Sequence, residues 1–360
     1  MKSAAIFNSR QSKIILGDDL WVVQSLKAVK FALSEGFSVL TSIEMPTYEL
    51  LVWAVGRFGG HQIVFVPDYV APQWVVDQFG LKPELVDFVH IQSQSRTKRK
   101  SWWKIRDILV AERADVIFPV SIRCGGFLDS ILSGHRQKIS KRFEVSYHSV
   151  VHKLPKPPDP DDLDDRFKVD ATWHYLTHWT STTYRPWCGE KFYEFYDRIV
   201  SSRDRYAHSA FDALQHILRT SVICGSSSKV RGSASVVSFT ELSPIESVKL
   251  MRWSHRKVGF YWEPYGVAVD RDVAIELGIR PVIYGNDETF RSLDRQLRPF
   301  FQPSKGRKHD WTLEREWRFV GDFHLRLVPK NKVLVITKTQ QEKEEIERQF
   351  GFKTTALLKS

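Results

Sequence analysis

Cysteine is scarce. Cys124, Cys188 and Cys224 are the only three in 360 residues, and none forms a Cys-x-x-Cys pair. An odd, scattered set argues against a disulfide framework and against a structural zinc centre. It suits a reduced, cytoplasmic protein. No apolar run is long enough to cross a bilayer, and no apolar stretch of signal-peptide type follows Met1. Neither a GxGxxG nor a P-loop motif is present, and no internal repeat is found. Negative charge is in deficit: 42 acidic against 53 basic residues leave a formal net charge of +11. That excess favours an anionic partner, whether nucleic acid, nucleotide phosphates or a membrane surface.

Hydrophobic residues make up 42% of the chain, the fraction of a globular protein, and the length suggests two domains. Tryptophan is abundant at 12 residues, enough to fill cores and still line a site for rings.

From Ser3 to about Tyr147, short apolar runs alternate with helical patterns. This predicts βα units and a mainly parallel sheet over residues 1–150. Expected strands are Ala4–Phe7, Phe37–Leu40, Gln62–Val66, Leu85–Ile91 and Ala114–Pro119. In such sheets ligands bind beyond the carboxyl ends of the strands. Two loops lie there, Asn8-Ser9-Arg10 and Arg123-Cys124-Gly125-Gly126-Phe127. A basic run, Arg96-Thr97-Lys98-Arg99-Lys100, stands beside Trp102-Trp103. Arg96, Lys98, Arg99 and Lys100 would suit a nucleic-acid backbone, with the indoles stacking on bases.

Residues 151–170 are rich in proline and aspartate and read as a linker. Beyond it, residues 171–360 predict a strand-rich α+β domain. Within it His174 and His178 share a strand face, but no third residue is spaced to complete a zinc site. The segment Asp310–Asp322, DWTLEREWRFVGD, reads as a turn entering a strand. Strand periodicity would project Glu314, Glu316 and Arg318 together from one face.

AIFNSRQSK, EGFSVLTS, GGHQIVFVP and ADVIFPVSIRCGGFLDSIL together resemble the SLOG superfamily, in its DNA-processing protein A branch. The resemblance covers roughly the first 135 residues and implies a Rossmann-like domain that binds a nucleotide or single-stranded nucleic acid. It implies Ser9, Arg10, Arg123, Gly125 and Gly126 as ligand contacts. Two departures stand out: Asn8 replaces the usual first-turn glycine, and the turn after the second strand reads Thr41-Ser42-Ile43-Glu44.

In the second half, His178-Trp179-Thr180, Ser238-Phe239-Thr240 and Glu314-Arg315-Glu316 fall in order on three expected strands. Together with YLTHWTS, VVSFTELSP and EPYGVAV they resemble the ADP-ribosyltransferase superfamily over about Trp173–Val335. That resemblance implies NAD as substrate and Glu316 as the catalytic carboxylate, stabilising the cation that develops on ribose. Glu314 would orient the acceptor. His178 and Thr180 would hold the adenosine-side ribose, Ser238 or Thr240 would brace Glu316, and Arg318 would meet the pyrophosphate or pair with Glu314. Tyr261 and Tyr265 are the candidates to stack on nicotinamide. A nucleotide-sensing domain joined to an NAD-consuming transferase or glycohydrolase would suit phage defence or a toxin system. Two rivals remain. One is a metal-dependent nuclease using Asp310, Glu314 and Glu316, which lacks the expected neighbouring lysine. The other is a non-catalytic protein that binds single-stranded DNA.

Overall fold

The computed structural model describes residues 1–92, 99–147, 152, 156–167, 173–227, 230–251, 262–306 and 310–359; the side chains of residues 99–101 are outside that set. The chain forms two compact units. The first comprises Met1–Lys153 and Tyr184–Ala207, the second Leu154–Thr183 and His208–Ser360.

The first unit alternates β1 (Ser3–Asn8), α1 (Leu20–Ser34), β2 (Ser38–Ser42), α2 (Pro46–Arg57), β3 (Gln62–Pro67), α3 (Pro72–Phe79), β4 (Val86–Ile91), α4 (Arg99–Arg113), β5 (Val116–Ser121) and α5 (Phe127–Ser133). The five strands form one parallel sheet in the order β4-β3-β2-β1-β5. Every residue of β1 and β2 is buried, as expected where helices cover both faces. The chain steps outward from β1 to β4, then returns to lay β5 beside β1. The carboxyl ends of β1 and β5 therefore flank the point where strand order reverses, the usual ligand position in open α/β sheets.

A sixth helix, α6 (Phe192–Ser201), comes from the segment that the sequence assigns to the second domain. Its apolar face explains its place. Phe192 stacks on Phe79 at 4.9 Å, and the buried Tyr196 hydroxyl donates to Glu49 at 3.1 Å. At its end, Gly17 N–H donates to the Ser202 carbonyl at 2.7 Å. A Cβ on Gly17 would stand 2.0 Å from the Val200 carbonyl oxygen, so only glycine allows that approach.

The second unit contains β6 (Tyr175–Trp179), α7 (Ala210–Thr220), β7 (Val222–Ile223), β8 (Val236–Thr240), α8 (Pro244–Leu250), β9 (Gly266–Asp270), α9 (Arg271–Glu276), β10 (Arg280–Pro281), β11 (Ile283–Gly285), α10 (Asp287–Ser292), β12 (Phe301–Pro303), β13 (Glu316–Val320), β14 (Phe323–His324), β15 (Val333–Thr337), α11 (Gln340–Phe350) and β16 (Thr354–Ala356). Seven strands pair in the order β10-β13-β8-β6-β9-β15-β16, antiparallel except for the parallel pair β15–β16. One face carries Leu176, Val237, Phe239, Trp317 and Val335 in the larger apolar core. The other carries Trp179, Ala268, Leu334 and Ile336 in a smaller one.

The described part of the expected linker is not a free tether. Leu163 is fully buried in the smaller core, and Asp164 N–H donates to the Leu357 carbonyl at 2.8 Å. Cys124 is free and exposed. Among the described residues no helix is long and apolar enough to cross a membrane.

Candidate functional site

The two loops singled out in the first unit do lie side by side, because β1 and β5 are neighbours. Ser9 N–H donates to the Ser121 carbonyl at 2.8 Å, and Arg123 N–H donates to the Ser9 hydroxyl at 2.9 Å. Ser9 is thus a buried tie between the loops. Gly125 takes a left-handed backbone (φ +68°) and donates its N–H to Asp129 at 2.8 Å, while Gly126 precedes the short α5. Arg10 and Arg123 are both exposed.

Beside these loops opens a cavity of about 350 Å³, lined by residues that follow β1 and β2, by α4 and by the segment entering α6. Arg10, Lys13 and Arg185 supply positive charge, and Trp21, Trp103 and Tyr184 supply rings. Arg123 is not part of its lining. The Lys13 ammonium stands 5.3 Å above the Tyr184 ring. The start of α2 forms one wall through Pro46 and Thr47. Thr47 is only 4% exposed, and among the described residues its hydroxyl has no hydrogen-bond partner; neither has the buried indole N–H of Trp103. Both atoms are covered by the surrounding protein.

Buried polar contacts back this wall. Arg106, 1% exposed, lies 4.3 Å from the Tyr48 ring, bonds Asp107 at 2.9 Å and reaches the Ile43 carbonyl at 3.4 Å. Burial raises the Asp107 carboxyl above its ordinary range, and Arg106 opposes that shift. Glu49, buried in the first turn of α2, accepts from Arg185 at 2.6 Å and so holds that cation beside the cavity. Glu44 has φ +65°, a conformation few side chains adopt, and both of its carboxylate oxygens are held: one by Tyr69 at 2.9 Å, the other by Trp102 at 3.2 Å.

Of the basic run, Arg96 and Lys98 lie outside the described residues. Arg99 and Lys100 begin α4, with side chains likewise outside that set.

The second unit divides its expected site. β13 pairs with β8 so that Glu316 faces Thr240 and Arg318 faces Ser238, and Thr240 in turn faces Thr177 on β6. These side chains share one face. His178, one residue further on, therefore projects from the opposite face, where its ring lies 5.9 Å from Phe239 in the larger core. Its Nδ1 is 2.8 Å from the Ser238 carbonyl, and burial lowers its pKa, which favours the neutral ring. Thr180 donates to the Ala210 carbonyl at 2.9 Å, and the Tyr265 hydroxyl donates to Glu342 at 2.8 Å. Both side chains are thus engaged away from Glu316. Tyr261 lies outside the described residues.

Glu316 itself is 6% exposed and fully engaged. The Ser238 hydroxyl donates to it at 2.6 Å, and Arg318 donates to its two oxygens at 2.9 and 3.0 Å. Arg318 spends its other N–H groups on the Pro299 and Phe301 carbonyls and on Gln302. Glu314 is not on the strand: β13 starts at Glu316, and Arg315 takes a left-handed backbone (φ +43°) that breaks the alternation. The Glu314 carbonyl accepts from Thr240 at 2.6 Å. Tyr284 was not among the expected site residues, yet its hydroxyl accepts from Glu316 N–H at 2.9 Å. Burial, with the Glu316 and Glu314 carboxylates nearby, pushes its pKa up to about 12.

His174 clusters not with His178 but with Asp270 and Asp272, and Lys332 already occupies Asp270 at 3.0 Å.

No family model and no curated protein matches the chain. Among solved structures it is similar to DNA processing protein A from Helicobacter pylori, described in its single-stranded DNA binding mode. The likeness is 14% identity and a TM-score of 0.28 over 40% of this chain and 68% of that one. At that distance it carries no inference for either unit.

Proposed function

We propose that the first unit binds a phosphate-bearing ligand with a flat ring, a nucleotide or single-stranded nucleic acid, in the cavity beside the β1 and β2 ends. The observation that carries this is the convergence of Arg10, Lys13 and Arg185 with Trp21, Trp103 and Tyr184 on one cavity, at the end of the sheet where strand order reverses. Cations meet phosphate, rings stack on a base, and a cavity of about 350 Å³ is within the range of small-molecule sites. Titrating the full chain with nucleotides and with a short single-stranded oligonucleotide tests it. The double variant Arg10→Ala with Lys13→Ala should weaken binding tenfold or more, about the value of one or two charged hydrogen bonds. Unchanged affinity in that variant would overturn the reading.

A second reading, an NAD-consuming transferase or glycohydrolase in the second unit, keeps one observation in its favour. Ser238 braces Glu316, as the expected arrangement requires. The bidentate Arg318 partner and the placement of His178 weigh against it. Release of nicotinamide from NAD by the purified chain is its test.

A further inference from the structure

The seam between α3 and α6 carries more aromatic surface than its packing needs. Phe79, buried at the end of α3, stacks on Phe192 at 4.9 Å and on the buried Tyr196 at 6.5 Å, and these rings join the two helices. Trp74 and Tyr193 stand at the margin of that stack. The Trp74 indole meets Phe192 edge to face at 5.9 Å, and the Tyr193 ring lies against Gly80, where a Cβ would come within 3.1 Å of it. Yet Trp74 stays 42% exposed and Tyr193 37%. Two large rings left partly in water along one seam mark a surface that something else covers.

That seam runs into the cavity. Arg185 lines the cavity, and its half-exposed guanidinium stands 5.5 Å from the Phe192 ring. Among the described residues Glu49 engages its Nη1 alone, which leaves the other N–H groups for a phosphate. A cation therefore stands between two sets of rings, those inside the cavity and those on the seam. Base, phosphate and base follow one another in the same way along a single strand. Resting on the nucleotide reading above, we infer that Trp74 and Tyr193 form a second base-stacking subsite, so that the ligand is a single-stranded oligonucleotide leaving the cavity past Arg185. Continuity with the cavity and the net charge of +11 favour a polyanion here over a second copy of this chain. Stacking asks for no particular base, since every base has a π-face.

The test is calorimetric titration of the full chain with thymidine 5′-monophosphate and with oligothymidylates of increasing length, up to roughly eight nucleotides. Affinity should rise with length by on the order of tenfold for each further base stacked. The double variant Trp74→Ala with Tyr193→Ala should flatten that rise while leaving the mononucleotide affinity unchanged, and Trp74→Phe with Tyr193→Phe, which keeps the rings, should restore much of it. Because the wild-type chain already compares lengths, the result does not depend on how a variant folds. A mononucleotide that binds as tightly as the longest strand would overturn the inference while leaving the cavity reading intact. So would a length dependence that the Ala variant retains, or a 5′–5′ bridged dinucleotide that gains as much from the two rings as the strand does. A wild-type chain that self-associates through this seam, with the Ala variant monomeric and its oligonucleotide affinity unchanged, would assign the surface to a second copy instead. If neither mononucleotide nor strand binds, the cavity reading itself falls, and the inference with it.

Discussion

The buried pair Glu316–Arg318 gives the sharpest test of what the second unit is for. Arg318 places all five of its N–H groups within 3.0 Å of acceptors: two Glu316 oxygens, two backbone carbonyls and Gln302. Arg318→Met would leave the Glu316 carboxylate, at 6% exposure, with the Ser238 hydroxyl as its remaining side-chain donor among the described residues. Breaking one side of a buried pair costs about 3–5 kcal/mol, since the surviving charge stays in low dielectric. Glu316→Gln strands Arg318 in the same way and should cost a comparable amount. The double substitution should cost clearly less than the sum, because the second change removes the charge that the first exposed. Urea denaturation of the full chain measures this, with hydrogen exchange at the β8 and β13 amides assigning the transition to the second unit. With a slope of roughly 2 kcal/mol per molar urea, the midpoint should drop by about 2 M. A loss under about 0.5 kcal/mol for Arg318→Met would refute the ion-pair accounting. Glu316→Gln with wild-type stability but no NAD turnover would instead restore Glu316 as a catalytic carboxylate.

Three further outcomes are expected. Gly17→Ala should destabilise the first unit by about 1–3 kcal/mol in thermal unfolding, because its new methyl meets the Val200 carbonyl at the end of α6; a neutral result would mean that the helix end yields freely. Burial holds the folded His178 pKa below the 6.5 of the unfolded ring, so the unfolded state takes up that proton first. The contribution is therefore complete above about pH 6.5 and is lost as pH falls through the window beneath it. Denaturation between pH 7.5 and 5 should show this slope, and His178→Gln should flatten it. If the chain binds single-stranded nucleic acid, neutralising Arg96, Lys98, Arg99 and Lys100 should shallow the dependence of affinity on salt, whereas an unchanged slope would remove that run from the interface.

The first sheet was legible because its strands are short apolar runs set between helical patterns, and β1 to β5 fall within two or three residues of their expected places. α11 carries its own local signals, the Thr339 cap at its start and a left-handed Gly351 at its end. The second site was harder to read for a definite reason. Alternation along one strand says which of its residues share a face, but the face presented to a neighbour depends on cross-strand register. The pairing of Thr177 with Thr240 turns His178 away from Glu316, and nothing local to His178 announces it. Glu314 was misplaced because a left-handed Arg315 intervenes, which charge alternation cannot reveal. Tyr184 and Arg185 could not have been assigned to the cavity at all, since their partners are more than a hundred residues earlier in the chain.

That long return carries a consequence for how the molecule is made. The first unit is assembled from two stretches of chain, with Leu154–Thr183 of the second unit between them. On the ribosome, the parallel sheet can form early, yet Arg185 and α6 are translated only after part of the other unit has been. The cavity is thus completed late in synthesis. A fragment ending near Lys153 would carry every strand of the first sheet and still lack one of its cations, one of its rings and the helix that seals Glu49.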